Sequence, residues 1–97
     1  MADLRGKAEQ MAAILTALAN PTRLRVIIHL IDKEVSVNEL ANQLAISTSA
    51  LSQHLAKLRA HNLVETRREA QTIFYSCKSE NVHQFLDGLR RCLDDRR

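Results

Sequence analysis

Ninety-seven residues, 45% of them apolar, suffice for one small hydrophobic core and not for two, so a single domain is expected over residues 1–97. A formal charge of +3 excludes a histone-like polycation, and the only aromatic rings, Phe74, Tyr75 and Phe85, cannot form the stacking platform that single-strand and RNA binders need. Two cysteines do not make a disulfide framework; with no signal peptide and no long apolar run, the expected compartment is the reducing cytoplasm, with no membrane partner.

Ala8, Met11, Ala12, Leu15 and Leu18 recur at helical spacing and predict a first amphipathic helix over 8–18. Asn20-Pro21 follows: Asn caps a helix well, and Pro suits the first helical position, where its missing N–H is not needed. The second helix should run from Pro21 to Ile31, with Leu24, Ile27, Ile28 and Ile31 forming the central core contact. Ser36 and Glu39 have capping-box spacing and open a short third helix that ends near Leu44. Only Ala45 and Ile46 separate it from Ser47, a second capping serine, so the third and fourth helices form a helix-turn-helix.

On a wheel of 100° per residue, Leu51, Leu55 and Leu58 of the fourth helix share one stripe, the buried side. The opposite side carries Ser49, Gln53, Ala56 and Ala60, flanked by Ser52 and Lys57. No Asp or Glu occurs anywhere from Leu40 to Val64. A surface that lies against phosphates must omit carboxylates, and short side chains let a helix sit deep in the roughly 12 Å major groove, so double-stranded DNA is the expected partner.

After Asn62 the period changes. Leu63, Val64 and Thr66, then Thr72 to Tyr75, are strand formers around Arg67-Arg68-Glu69-Ala70-Gln71, which predicts a hairpin with a charged tip, although no Gly or Asn marks its turn. Ser79 caps a last helix that reaches Leu93, with Val82, Phe85, Leu86, Leu89 and Leu93 on one stripe. The fold class is therefore mainly α with a small β-hairpin, a winged helix-turn-helix in the order α-α-α-α-β-β-α. Its first and last helices carry more apolar surface than a domain of this size must bury internally, through Met11, Leu15 and Leu18 and through Phe85, Leu89 and Leu93. A two-fold homodimer through those helices would cover that surface and set two reading helices about 34 Å apart.

Asn-Pro-Thr-Arg-Leu-Arg at 20–25, Leu-Ser-Gln-His-Leu-Ala-Lys-Leu-Arg at 51–59, Leu-Val at 63–64 and Arg-Arg-Glu-Ala-Gln-Thr-Ile-Phe-Tyr-Ser at 67–76 resemble the ArsR/SmtB family of bacterial repressors, most closely its NolR, HlyU and BigR branch. The resemblance covers residues 8–93 and implies a homodimeric repressor that reads an inverted repeat, often relieved by metal, thiol oxidation or persulfide. It implies base reading by Ser49, Ser52 and Gln53, with Gln53 on an adenine. Thr48 stands where the branch carries a glutamine. Ser47, which caps the reading helix, and Thr48, through a hydroxyl or methyl contact, are also expected at the DNA; His54 and Lys57 are expected on phosphates, and Arg67, Arg68 and Gln71 of the wing on backbone or the adjacent minor groove, the bland alternative for Arg67-Arg68 being a solvated turn.

The family's sensor sites are incomplete here. Ser36 and Asn38 replace a Cys-x-Cys pair, while Asn81, His83, Asp94 and Arg97 offer one His where a zinc site needs three or four good ligands, so no metal and no cofactor is expected. Ile28 occupies the second-helix position of the sulfur-sensing dithiol, and Cys92 falls short of the last-helix one. Cys77 and Cys92 are either small structural residues or a redox switch in which a last-helix thiol oxidises across subunits. The effector stays unnamed. His29, His54, His61 and His83 lack helical metal spacing, and with no nucleophile–base pair or phosphate loop an enzyme is not expected. The rival reading is a winged-helix module for protein–protein contact.

Overall fold

Four side-chain caps decide where the helices begin. Asn20 Oδ1 accepts the Arg23 amide at 3.1 Å, Ser36 Oγ that of Glu39 at 3.2 Å, Ser47 Oγ that of Ala50 at 3.0 Å and Ser79 Oγ that of Val82 at 3.3 Å. Each satisfies one of the amides that a helix start leaves without an internal partner. The structure, a computed structural model, describes residues 4–95. After a 3₁₀ turn at Arg5–Lys7 come α1 (Ala8–Leu18), α2 (Pro21–Ile31), β1 (Val35–Ser36), α3 (Val37–Leu44), α4 (Thr48–Ala60), β2 (Glu65–Glu69), β3 (Thr72–Ser76) and α5 (Glu80–Asp94). All five expected helices are present.

The hairpin is larger than expected. β1 pairs antiparallel with β3, Val35 opposite Tyr75 and Ser36 opposite Phe74, which makes a three-stranded sheet in the order β1-β3-β2. Glu69 pairs with Thr72, so the turn is only Ala70-Gln71, and Arg67 and Arg68 lie within β2 rather than at the tip. Ala70 has a left-handed φ of 56°, which explains how a tight hairpin forms without Gly or Asn: the alanine tolerates the strain.

Strand pleating assigns the faces. Val35, Tyr75 and Cys77 point into the core at 1%, 8% and 1% exposure, and Ile73 packs against it. Cross-strand partners share a face, so Thr66 and Arg68 lie on this helix-facing side, while Glu65, Arg67 and Glu69 share the outer side with Phe74. The same core holds Ile27 and Leu30 of α2, Leu40 of α3 and the Leu51, Leu55, Leu58 stripe of α4, all at most 1% exposed. Each such burial is worth about 1.5–3 kcal/mol, and together they hold α4 rigidly against the rest.

Two expectations about packing fail. Ile28, assigned to the core, is 57% exposed, because α2 is apolar on more sides than the core can cover. Leu18, assigned to a dimer interface, is 5% exposed and belongs to the protomer's own core. The apolar residues left uncovered on α1 are Met11, Ile14 and Leu15; on α5, where only Val82 is buried, they are Phe85, Leu89 and Leu93. No single helix among the described residues is long and apolar enough to cross a membrane; α1 with its 3₁₀ lead and α2 reach that length together, but they bend by 88° between them, and Val26, Ile27 and Leu30 of α2 are core.

Candidate nucleic-acid interface

The turn that aims α4 is built by backbone geometry. Ala45 closes α3 in the left-handed region (φ 58°, ψ 43°), its amide donating to Asn42 O at 3.2 Å and that of Ile46 to Ala41 O at 3.1 Å. This is a Schellman closure at a residue that pays a steric penalty relative to Gly. The end of α4 repeats it with a better residue: Asn62 (φ 58°) donates to Arg59 O at 2.9 Å, and Leu63 donates to Leu58 O at 3.0 Å as its side chain turns into the core. Both ends of α4 are therefore fixed, one by Ser47 and one by Asn62.

Between them, Thr48, Ser49, Ser52, Gln53, Ala56 and Lys57 are all exposed, on the side away from Leu51, Leu55 and Leu58. Their hydrogen-bonding groups point outward, and no carboxylate interrupts them between Leu40 and Val64. This face can offer amide, hydroxyl and ammonium groups to base edges and phosphates at once.

His54, expected on a phosphate, has a partner inside the protein. It is half-buried, and its Nδ1 accepts from Arg23 Nη1 at 3.4 Å. The same guanidinium donates through Nε to Ala17 O and through Nη2 to Thr16 O, so Arg23 ties the end of α1 to the middle of α4. The sequence reading missed Arg23 because its partner lies 31 residues away and no local pattern marks it.

The wing separates the two arginines that the sequence treated alike. Arg67 lies with its guanidinium 4.8 Å from the Phe74 ring centroid and donates to Glu34 from Nε (3.0 and 3.2 Å) and Nη2 (2.7 Å), and to Glu69 from Nη1 (2.7 Å). These hydrogen bonds hold the Glu34 carboxyl below its usual value and hold Arg67 more firmly as a cation. Arg67 is thus paired with the protein's own acids while its side chain stays 48% exposed, so a DNA phosphate would compete with them for it. Arg68, on the opposite face, has no ion pair among the described residues, and Gln71 is exposed in the turn.

The candidate redox pair also divides. Cys77 is 1% exposed and burial pushes its thiol pKa up, so the nucleophilic thiolate is disfavoured there. Cys92 is exposed on α5. His83 Nε2 donates to Cys77 O at 2.9 Å and His29 Nδ1 to Arg25 O at 2.7 Å, two imidazoles occupied by backbone carbonyls. Among the described residues no three His, Cys, Asp or Glu side chains are grouped to hold a metal ion.

Two apolar grooves flank α5. One, of about 440 Å³, runs along α1 past Met11, Leu15 and Phe85; the other, of about 650 Å³, lies between α2 and α5 and is lined by Ile28, Leu86, Leu89 and Leu93 among others.

Comparison with known proteins places these features in company. Residues 18–67 match a family described as a helix-turn-helix domain. The chain is 52% identical over 82 residues to the nodulation protein NolR of Rhizobium meliloti, covering 84% of this chain and 67% of that protein. It is 44% identical over 89 residues to the transcriptional activator HlyU of Vibrio cholerae, covering 92% and 82%. Among solved structures, NolR from Sinorhizobium fredii superposes with a TM-score of 0.86 at 48% identity, covering 95% of this chain and 92% of that one. A homodimeric winged helix-turn-helix DNA-binding domain from Mycobacterium bovis, described as a possible ArsR-family regulator, gives 0.85 at 27% identity, covering 99% and 90%.

Proposed function

The chain belongs to the ArsR/SmtB family of winged helix-turn-helix transcriptional regulators, and on that premise we propose that it is a homodimeric repressor reading an inverted repeat in duplex DNA. The observation that carries this reading is the outward face of α4: rigidly backed by three buried leucines, fully exposed, and free of carboxylates. Gln53 offers the bidentate amide that suits adenine in the major groove; Thr48, Ser49 and Ser52 supply hydroxyls beside it. Lys57, Arg68 and Gln71 reach phosphates or the minor groove and set register without reading sequence. Where the branch carries a glutamine, Thr48 gives this protein a different preference at one base.

Dimerisation supplies the second half-site. Met11, Leu15, Phe85, Leu89 and Leu93 form exposed apolar surface on two helices adjacent in space, and a second copy covers it under two-fold symmetry. Any thiol response rests on Cys92, the accessible cysteine of α5, acting across that interface; the protein works where its DNA is, in the cytoplasm.

The test is salt-dependent binding to a duplex selected from a random pool. A log–log slope of about −0.9 per phosphate contact, with each half-site protected in footprinting, is the expected result. A shallow slope, or no selected duplex at 100 mM salt, would favour a protein–protein module instead.

A further inference from the structure

We propose that Glu34 and Arg67 are positioning residues for the wing: the bidentate pair staples β2 across β3 to the start of β1 and so sets where Arg68 and Gln71 meet DNA. The proposal rests on the DNA-binding reading above. β2 is exposed at all five positions, so packing does not decide its tilt. A two-stranded ribbon is marginal by itself, and β1 supports β3 only at Phe74 and Tyr75. Arg67 stands opposite Phe74, over whose ring it lies, and Phe74 in turn stands opposite Ser36, two residues after Glu34. The guanidinium therefore spans the central strand from the outer one and reaches Glu34 with a fork geometry that fixes direction as well as distance.

Charge points the same way. Nε, Nη1 and Nη2 of Arg67 all donate to carboxylates, and Glu34 with Glu69 outweighs its single positive charge. A phosphate would have to displace two acids to claim it. Lys78 adds a further positive field at Glu34. Arg68, on the helix-facing side and without an ion pair among the described residues, is the wing cation left for phosphate.

The sign of one substitution separates positioning from simple electrostatics. Glu34→Gln removes a negative charge and frees an arginine, so a bare charge effect tightens DNA binding; loss of a positioning contact weakens it. With a fluorescent duplex selected on the wild-type protein, Glu34→Gln and Arg67→Ala should each weaken binding by about two- to fivefold, the span expected of an exposed ion pair. Both should leave the log–log salt slope unchanged, whereas Arg68→Ala should flatten it by about 0.9 per subunit. The double variant Glu34→Gln/Arg67→Ala should bind no more weakly than Arg67→Ala alone, because the two share one function. Equal or tighter binding by Glu34→Gln, or a flattened slope for Arg67→Ala, overturns the proposal. Both outcomes are distinct from failure of the DNA-binding reading, in which the wild-type protein itself selects no duplex and the staple loses its purpose.

Discussion

Helices α4 and α5 are both amphipathic, yet they present opposite sides to the surroundings. In α4 the leucines are buried at no more than 1% exposure and the polar face is left without ion pairs among the described residues, ready for an external partner rich in hydrogen-bonding groups and negative charge. In α5 the polar groups satisfy one another: Arg90 bridges Asp87 and Asp94 at 2.8 Å each and Arg91 approaches Asp87 at 3.5 Å, while Phe85, Leu89 and Leu93 stay uncovered. One helix lacks partners for its polar side and the other lacks cover for its apolar side. The difference is the ground for proposing α4 as the surface that meets nucleic acid and α5 as the one that meets a second copy of the chain.

Substitutions on the two helices should therefore fail in different assays. Leu55→Ala should cost about 2–5 kcal/mol of folding stability in denaturant titration and abolish DNA binding with it, because it opens a cavity behind the reading face. Leu89→Glu should leave the protomer folded but raise the dimer dissociation constant by roughly 30-fold or more in sedimentation, the scale of an interface hot spot; an unchanged dimer would remove α5 from the interface. Gln53→Ala should cost about 1–3 kcal/mol on the selected duplex and much less on a scrambled one, with an unaltered melting temperature. Equal losses on both would deny it a base-reading role.

Smaller effects sharpen the contrast further. In the native protein a thiol reagent should modify Cys92 quickly and Cys77 only on unfolding; a fast second thiol would contradict the burial of β3's end. Glu34 and Asp87, depressed by hydrogen bonds from Arg67 and Arg90, contribute stability above their ordinary 4.5 and 3.8 that is lost as pH falls through the lowered values. Cys77, raised by burial, contributes stability present below its ordinary 9.0 and lost as pH rises through the raised value. Thermal stability should accordingly be flat between about pH 5 and 8 and decline on both sides. The smallest change is Ala45→Gly, expected to add about 0.5–1 kcal/mol by relieving the left-handed alanine, less the flexibility glycine brings to the unfolded chain.

The features legible in the sequence were those encoded within a turn or two. The caps at Asn20, Ser36, Ser47 and Ser79 and the leucine stripe of α4 depend on neighbours three or four residues away, so periodicity and residue type reveal them. β1 escaped notice because two residues carry no period, and only pairing with Tyr75 and Phe74, some forty positions on, makes Val35–Ser36 a strand. Arg67 and Arg68 look equivalent as adjacent letters; pleating sends them to opposite faces, and Glu34, 33 residues earlier, captures one of them. Leu18 and Ile28 exchanged roles for a similar reason: a helix wheel ranks sides by apolarity but does not say which side the rest of the chain will cover.

By itself the sequence determined the five helices and the hairpin, the acid-free face of α4 and the family resemblance, since these rest on local chemistry along contiguous segments. Only the tertiary structure decided which arginine is free, which thiol is reachable and which apolar residues await a partner. Those depend on a few angstroms between distant segments, and at that range a carboxylate, a ring or a neighbouring helix changes what a side chain can do.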